Sequence, residues 1–252
     1  MYFLKNIFLL LLLLQYSWAN DKELEQIFQK AQIKGTLVLT TLDGKESYIY
    51  NTKRALTQYI PASTFKIPNT LIALEEKIIQ DEYETIKWDG KIRDYEAWNK
   101  DQNLQTAIAV SCVWCYEKFA QSIGKEKYLE YLKKIDYGNK KVGKSVSKFW
   151  LVGDIKISAI EEIEFLQRLY KNQLPFTQKN LDIIKKILIV EKTENYTIYA
   201  KSGWSGKIGW YVGYLQKANQ VWFFAFNGDI NKNQLHHRKE IVINALKLKG
   251  IL

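Results

Sequence analysis

Histidine, cysteine, proline and methionine are all scarce in this 252-residue chain, at two, two, three and one copies. Each scarcity removes a class of function. The only histidines, His236 and His237, are adjacent and precede a basic segment. Neither has a G-x-S-x-G nucleophile to serve. The nearest match, Gly203-Trp204-Ser205-Gly206-Lys207, fails at its last position, which excludes a Ser-His-Asp hydrolase. No H-E-x-x-H spacing exists for zinc, so no metal is expected. P-loop and dinucleotide fingerprints are also missing. The two cysteines form Cys112-Val113-Trp114-Cys115. The second pair that a structural metal site needs is absent. A redox pair should open a helix after a strand, but the preceding "LQTAIAV" carries no strand signal. Two small buried thiols are therefore expected, with a bond across i, i+3 left open.

Long apolar runs are lacking too. Ile7–Leu14 is the longest, well short of the roughly 20 residues that span a bilayer. With Lys5 before it and the small residues Ser17 and Ala19 after it, the segment reads as a signal peptide, residues 1–19. No cysteine stands at the cleavage site to take a lipid. The expectation is a periplasmic protein of residues 20–252 with no membrane association after cleavage. The formal charge is +10, and loss of Lys5 lowers it by one. Lysines alternate with acids, as in "KEKYLEYLKK" (125–134), which describes solvated helix faces and makes a nucleic-acid partner unexpected. No repeat or low-complexity segment follows the leader, and 47% apolar content supplies a sizeable core.

Periodicity organises the rest. Residues 23–33 suggest a short amphipathic helix, and "GTLVLTTLDGKESYIY" (35–50) a hairpin turning at Asp43-Gly44. From about 64 to 190 apolar residues recur at three and four. From about 196 the period becomes two, giving three strands: "YTIYAKSGW", "GWYVGYLQ" and "VWFFAFNGD". The last is nearly all apolar and hence central. A closing helix covers 237–249. The fold class is α+β: a largely antiparallel sheet built from both chain ends with flanking helices (about 20–60 and 191–252), plus an inserted all-helical lobe (about 61–190). Clefts between such lobes hold small molecules.

Chemistry concentrates in "PASTFKIPNT" (61–70), where Ser63 and Lys66 stand three apart. On a helical turn they share a face. Serine needs a neighbour to take its proton. A lysine of ordinary pKa is neutral in only about one molecule in 2,500 at pH 7. Lys66 must therefore be desolvated or chemically altered to act. Alone the pair is weak, since Ser63 would equally cap a helix. Two further elements strengthen it: Ser111-Cys112-Val113, and Lys201-Ser202-Gly203 on a predicted strand. S-x-x-K, a second serine and K-[ST]-G in this order form the pattern of penicillin-recognising serine enzymes.

With "YIPASTFKIPNTLIALE", "WDG", "WNKDQNLQTAIAVSCVW", Tyr137-Gly138-Asn139, "FWLVGDIKIS" and "AKSGW", the chain resembles the class D (oxacillinase-type) serine β-lactamases over essentially its whole mature length. The resemblance implies a β-lactam substrate, hydrolysed through an acyl-enzyme on Ser63. It implies no cofactor beyond CO₂ or bicarbonate, held as a covalent carbamate on Lys66. Val113 and Trp150 would line the carbamate pocket, with the Trp150 indole as donor. Ser111 would pass a proton to the leaving nitrogen, aided by Lys201. The backbone N–H groups of Ser63 and Trp204 would form an oxyanion hole. Ser202, Gly203 and Arg238 would bind substrate, Arg238 through its carboxylate. The triplet at 137–139 would shape the cleft wall as a turn without a chemical role. The loop after Trp150, Leu151-Val152-Gly153-Asp154, departs from the family pattern, and Ser202 stands where threonine is common. Ordinary readings stay open: Val113 and Trp150 as core, Ser111 as a cap, Lys201 and Arg238 as surface cations. A drug-sensor domain or a transpeptidase that acylates without turnover are the rival enzymes. A basic binding module is the rival from another class. Oligomeric state is left open.

Overall fold

The computed structural model describes residues 21–252; the proposed signal peptide lies outside them. In chain order the elements are α1 (Lys22–Ala31), β1 (Gly35–Thr41), β2 (Ser47–Tyr50), α2 (Thr52–Leu56), a 3-10 turn (Ala62–Phe65) running into α3 (Lys66–Glu75), α4 (Leu104–Ala109), α5 (Val113–Ile123), α6 (Lys125–Lys134), α7 (Phe149–Val152), α8 (Ala159–Tyr170), α9 (Gln178–Ile187), β3 (Ile189–Lys192), β4 (Thr197–Trp204), β5 (Ile208–Lys217), β6 (Gln220–Asp229) and α10 (His237–Leu248). The fold is α+β with one antiparallel six-stranded sheet, ordered β2-β1-β6-β5-β4-β3. No described helix is long and apolar enough to cross a membrane.

Strand β6 lies inside the sheet, between β1 and β5, with Val38 opposite Ala225 and Val212 opposite the same residue. Its near-continuous apolar run follows from burial on both faces. Phe224 and Phe226 join Leu37, Leu39 and Tyr211 under α1 and α10. Phe223 and Ala225 face the other way, into the core shared with α3, α5 and α8. Alternation by two thus sends each strand's residues into two separate cores. Two capping devices start helices near the site. Asn103 and Thr106 form a capping box on α4, and Ser158 and Glu161 one on α8.

Two expectations need correction. The helical pattern extends to about 190, but α9 stops at Ile187 and Ile189–Lys192 is a further strand, β3, at the edge of the sheet. The run "ILIV" satisfies either period. Pairing with β4 decides it, on one edge only and with a register shift between Ile189 and Glu191. The two cysteines are buried as expected but not free: Cys112 and Cys115 form a disulfide. Cys112 is the N-cap of α5 and Cys115 lies in its first turn, so one turn of helix brings the sulfurs together.

Candidate active site

The site forms where the Ser63 turn meets β4. Trp210 of β5 donates its indole N–H to Ile60 O at 2.8 Å, fastening the approach to the turn onto the sheet. Ala62 has φ 52°, a left-handed conformation unusual for alanine, and it swings the chain so that Ser63 faces the cleft. Gly203 makes this docking possible. A Cβ there would lie 2.9 Å from Pro61 O, 3.2 Å from Ser63 N and 3.3 Å from Thr64 Cγ2. Only a residue without a side chain lets strand and turn approach so closely.

Lys66 opens α3 directly after the turn and is completely buried. Its Nζ lies 3.1 Å from Ser63 Oγ and 4.9 Å from the Tyr116 ring centroid. No carboxylate pairs with it among the described residues. Desolvation, then the charge of Lys201, hold its pKa well below the usual lysine value, against a smaller pull from Glu117. The amine is thus biased toward its neutral form by its surroundings.

The second pair sits opposite. Lys201 Nζ lies 2.5 Å from Ser111 Oγ and donates to Ser202 O at 3.0 Å. Burial, then the Arg238 charge, lower its pKa to about 7. Ser111 has φ 53°. The hairpin-like turn carrying it is pinned by Trp98, whose indole donates to Val110 O at 2.9 Å, and by the disulfide just beyond. Ser111 does not cap the following helix; Cys112 does.

Ser63 and Ser111 line one cleft of about 330 Å³ together with Val113, Ser202, Gly203, Trp204 and Arg238, and Lys66 and Lys201 reach it through their bonds to the two serines. Arg238 donates to Leu235 O at 2.8 Å and Gly203 O at 2.9 Å, which holds its guanidinium at the cleft's edge. Trp204 donates its indole N–H to Ile230 O at 2.8 Å, fixing the end of β4. Trp150 is different: fully buried behind the turn, it stacks on Phe65 at 5.8 Å, and its indole N–H has no acceptor. A buried donor left bare costs about 1–3 kcal/mol. His236, His237 and Glu240 bring donor atoms within 4.8 Å of one another. They sit at the start of α10 beside Arg238 and Lys239, where the helix dipole and two cations oppose a metal ion.

The triplet at 137–139 lies behind the nucleophile rather than on the cleft wall. Tyr137 is wholly buried with its hydroxyl on Glu162, and Asn139 bridges Asp154 O and Lys156 N at 2.8 and 3.1 Å. Within the triplet Gly138 is left-handed, and Asp136 and Lys140 flank it in the same conformation. Sequence reasoning did not single out Tyr95, Trp98, Val110 and Leu235, which line the cleft, or Glu162 beneath it. The four lining residues carry no chemical signature. Glu162 was hidden in the acidic run of an amphipathic helix.

Residues 25–247 match the family described as the penicillin binding protein transpeptidase domain. Among curated relatives, beta-lactamase OXA-48 of Klebsiella pneumoniae is 40% identical over 240 residues, 93% of this chain and 91% of the relative. Beta-lactamase OXA-10 of Pseudomonas aeruginosa is 38% identical over 233 residues, covering 89% and 88%. Among solved structures, the class D beta-lactamase YbXI from Nostoc superposes with a TM-score of 0.89 at 39% identity, covering 91% of this chain and 99% of that one. FUS-1 (OXA-85), a class D beta-lactamase from Fusobacterium nucleatum subsp. polymorphum, gives 0.89 at 38% identity, covering 92% and 99%.

Proposed function

The chain belongs to the class D serine β-lactamases, and from that premise we propose that it hydrolyses β-lactams in the periplasm through an acyl-enzyme on Ser63, with Lys66 carbamylated by CO₂. One observation carries the reading: Lys66 is fully buried with no carboxylate partner among the described residues, and the Trp150 indole, stacked on the preceding residue Phe65, has a buried N–H with no acceptor. A neutral amine is what CO₂ reacts with, forming the N–C bond and releasing a proton. The Trp150 N–H is a donor suited to the anion so formed. When present, the carbamate supplies an anionic base for the Ser63 proton and, after acylation, for water.

The remaining steps fall to the chain's own groups. Ser63 Oγ attacks the lactam carbonyl. The N–H groups of Ser63 and Trp204 stabilise the oxyanion, an interaction that strengthens in the transition state. As the C–N bond breaks, the ring nitrogen takes a proton from Ser111, which is resupplied by Lys201 at 2.5 Å. Lys201, with a pKa lowered to about 7, can both give and regain a proton near neutrality. Ser202 and Arg238 hold the substrate carboxylate at the cleft's edge. The apolar lining of Tyr95, Trp98, Val110, Leu151 and Leu235 receives the rest of the molecule. Water then releases the product and restores Ser63.

Turnover of a chromogenic β-lactam by the native protein and Lys66→Ala, each with and without bicarbonate, tests the reading. Turnover that is stimulated by bicarbonate after acid treatment and absent in the variant is expected. Stoichiometric acylation of the native protein without turnover would point to a sensor or transpeptidase instead.

A further inference from the structure

Glu162, on α8, is completely buried behind the nucleophile turn. Its Oε1 lies 2.7 Å from Thr64 Oγ1 and 3.0 Å from the Tyr137 hydroxyl, while Oε2 has no partner. Thr64 Oγ1 also lies 2.9 Å from Pro61 O. A hydroxyl carries one hydrogen, so Thr64 cannot donate both to Pro61 and to Glu162. A proton on Glu162 resolves the conflict. Tyr137 then donates to Glu162 Oε1, Glu162 donates to Thr64 Oγ1, and Thr64 donates to Pro61 O. Every contact is satisfied in one direction.

No cation pairs with it among the described residues, although its place in the first turn of α8 favours a negative charge. Glu161, the adjacent carboxylate, is engaged by Gln58 and by the helix start at Ser158. Arg54, on α2, is spent on Asn227 and Asp229, and Lys66 faces Ser63. Tyr137 keeps its proton, its pKa raised chiefly by burial. Burial pushes the Glu162 carboxyl up to about 7, against smaller lowering by Thr64 and Tyr137.

The chain of bonds ends on the carbonyl that abuts Gly203, two residues before the Ser63 hydroxyl. We propose that Glu162 is a positioning residue kept as the neutral acid, whose proton closes the chain Tyr137–Glu162–Thr64–Pro61 and so fixes the Ser63 turn against β4. Its ionisation reverses the Thr64 bond, leaves Pro61 O only the longer 3.3 Å bond from the Thr64 backbone N–H, and places an unpaired charge beneath the turn. The effect on rate rests on Ser63 being the nucleophile. The protonation state does not, and is read separately.

Two readouts test this on the full mature protein. The infrared difference spectrum of native minus Glu162→Gln, near pH 6, is expected to contain the carbonyl stretch of a protonated carboxyl; its absence overturns the neutral acid. In the kcat/KM profile, Glu162→Gln keeps an acceptor and has no ionisation. The ratio of native to variant kcat/KM is expected to fall at least about threefold between roughly pH 6 and pH 8.5. Superimposable profiles overturn the positioning role. Glu162→Leu removes the acceptor and is expected to lower kcat/KM about tenfold or more, chiefly in kcat. A Leu variant with native kinetics also overturns the proposal, and if it fails to fold the Gln profile decides alone.

Discussion

Replacing Trp150 with phenylalanine removes the indole N–H and, with it, two ring carbons from a fully buried side chain, leaving a small cavity. The remaining ring can keep the stacking on Phe65 and the edge contact with Phe149, at 5.8 and 5.2 Å between centroids. In the unmodified enzyme the indole N–H has no acceptor, so no hydrogen bond is lost there. In the carbamylated enzyme a hydrogen bond to a charged group disappears, which is worth about 1.5–3 kcal/mol. At about 1.4 kcal/mol per factor of ten, the affinity of Lys66 for CO₂ falls roughly 10- to 150-fold. The assay is the initial rate on a chromogenic β-lactam against bicarbonate concentration. The half-saturating concentration should rise by that factor in Trp150→Phe, with much of kcat recovered at saturation. A variant with the native bicarbonate requirement would refute the role given to the indole. So would a variant whose lost activity bicarbonate cannot restore at all.

Three further outcomes are expected. Glu162 holds its proton up to about 7 in the folded chain, against 4.5 ordinarily, so between those values the native state binds more protons than the unfolded state and stability falls as pH rises. Glu162→Gln abolishes that slope. In urea melts it should gain about 3 kcal/mol on the native protein between roughly pH 4 and pH 8, and parallel curves would contradict this. Gly203→Ala drives a Cβ to 2.9 Å from Pro61 O and must shift turn or strand. Relief takes a shift of about half an ångström, which at about 100-fold per ångström costs roughly tenfold in the acylation rate, read by burst kinetics, and a native burst would contradict the docking argument. Replacing Cys112 and Cys115 together with alanine opens a four-residue loop, for which chain entropy alone gives a loss of about 2 kcal/mol, measured by denaturant midpoint. An unchanged midpoint would show that the bond adds nothing beyond the helix turn.

Much of this was legible in the sequence because the relevant signals are local. Asp43-Gly44 marks its hairpin through turn chemistry, and the apolar run of β6 marks a strand buried on both faces. Ser63 and Lys66 are joined by helical spacing alone. The convergence of Ser111 with Lys201 across 90 residues had to come from the order of three motifs, since no local rule brings them together. What escaped depends on partners distant in sequence. β3 is a strand only because β4 lies beside it. Glu162 reads as one more acid of an amphipathic helix until Thr64, 98 residues earlier, is seen against it. The disulfide is not legible in the sequence, because i, i+3 spacing permits the bond without requiring it. The triplet at 137–139 was placed on the cleft wall, whereas burial of the Tyr137 ring among Phe65 and Phe165 draws it into the core behind the turn.

The account depends most on the chemical state of Lys66. Carbon-13 NMR of the native protein in labelled bicarbonate measures that state directly, with Lys66→Ala as the control. A single carbamate resonance is expected, absent from the variant, lost after acidification, and returning in step with β-lactam turnover. Full turnover by the native protein with no carbamate resonance would contradict the account.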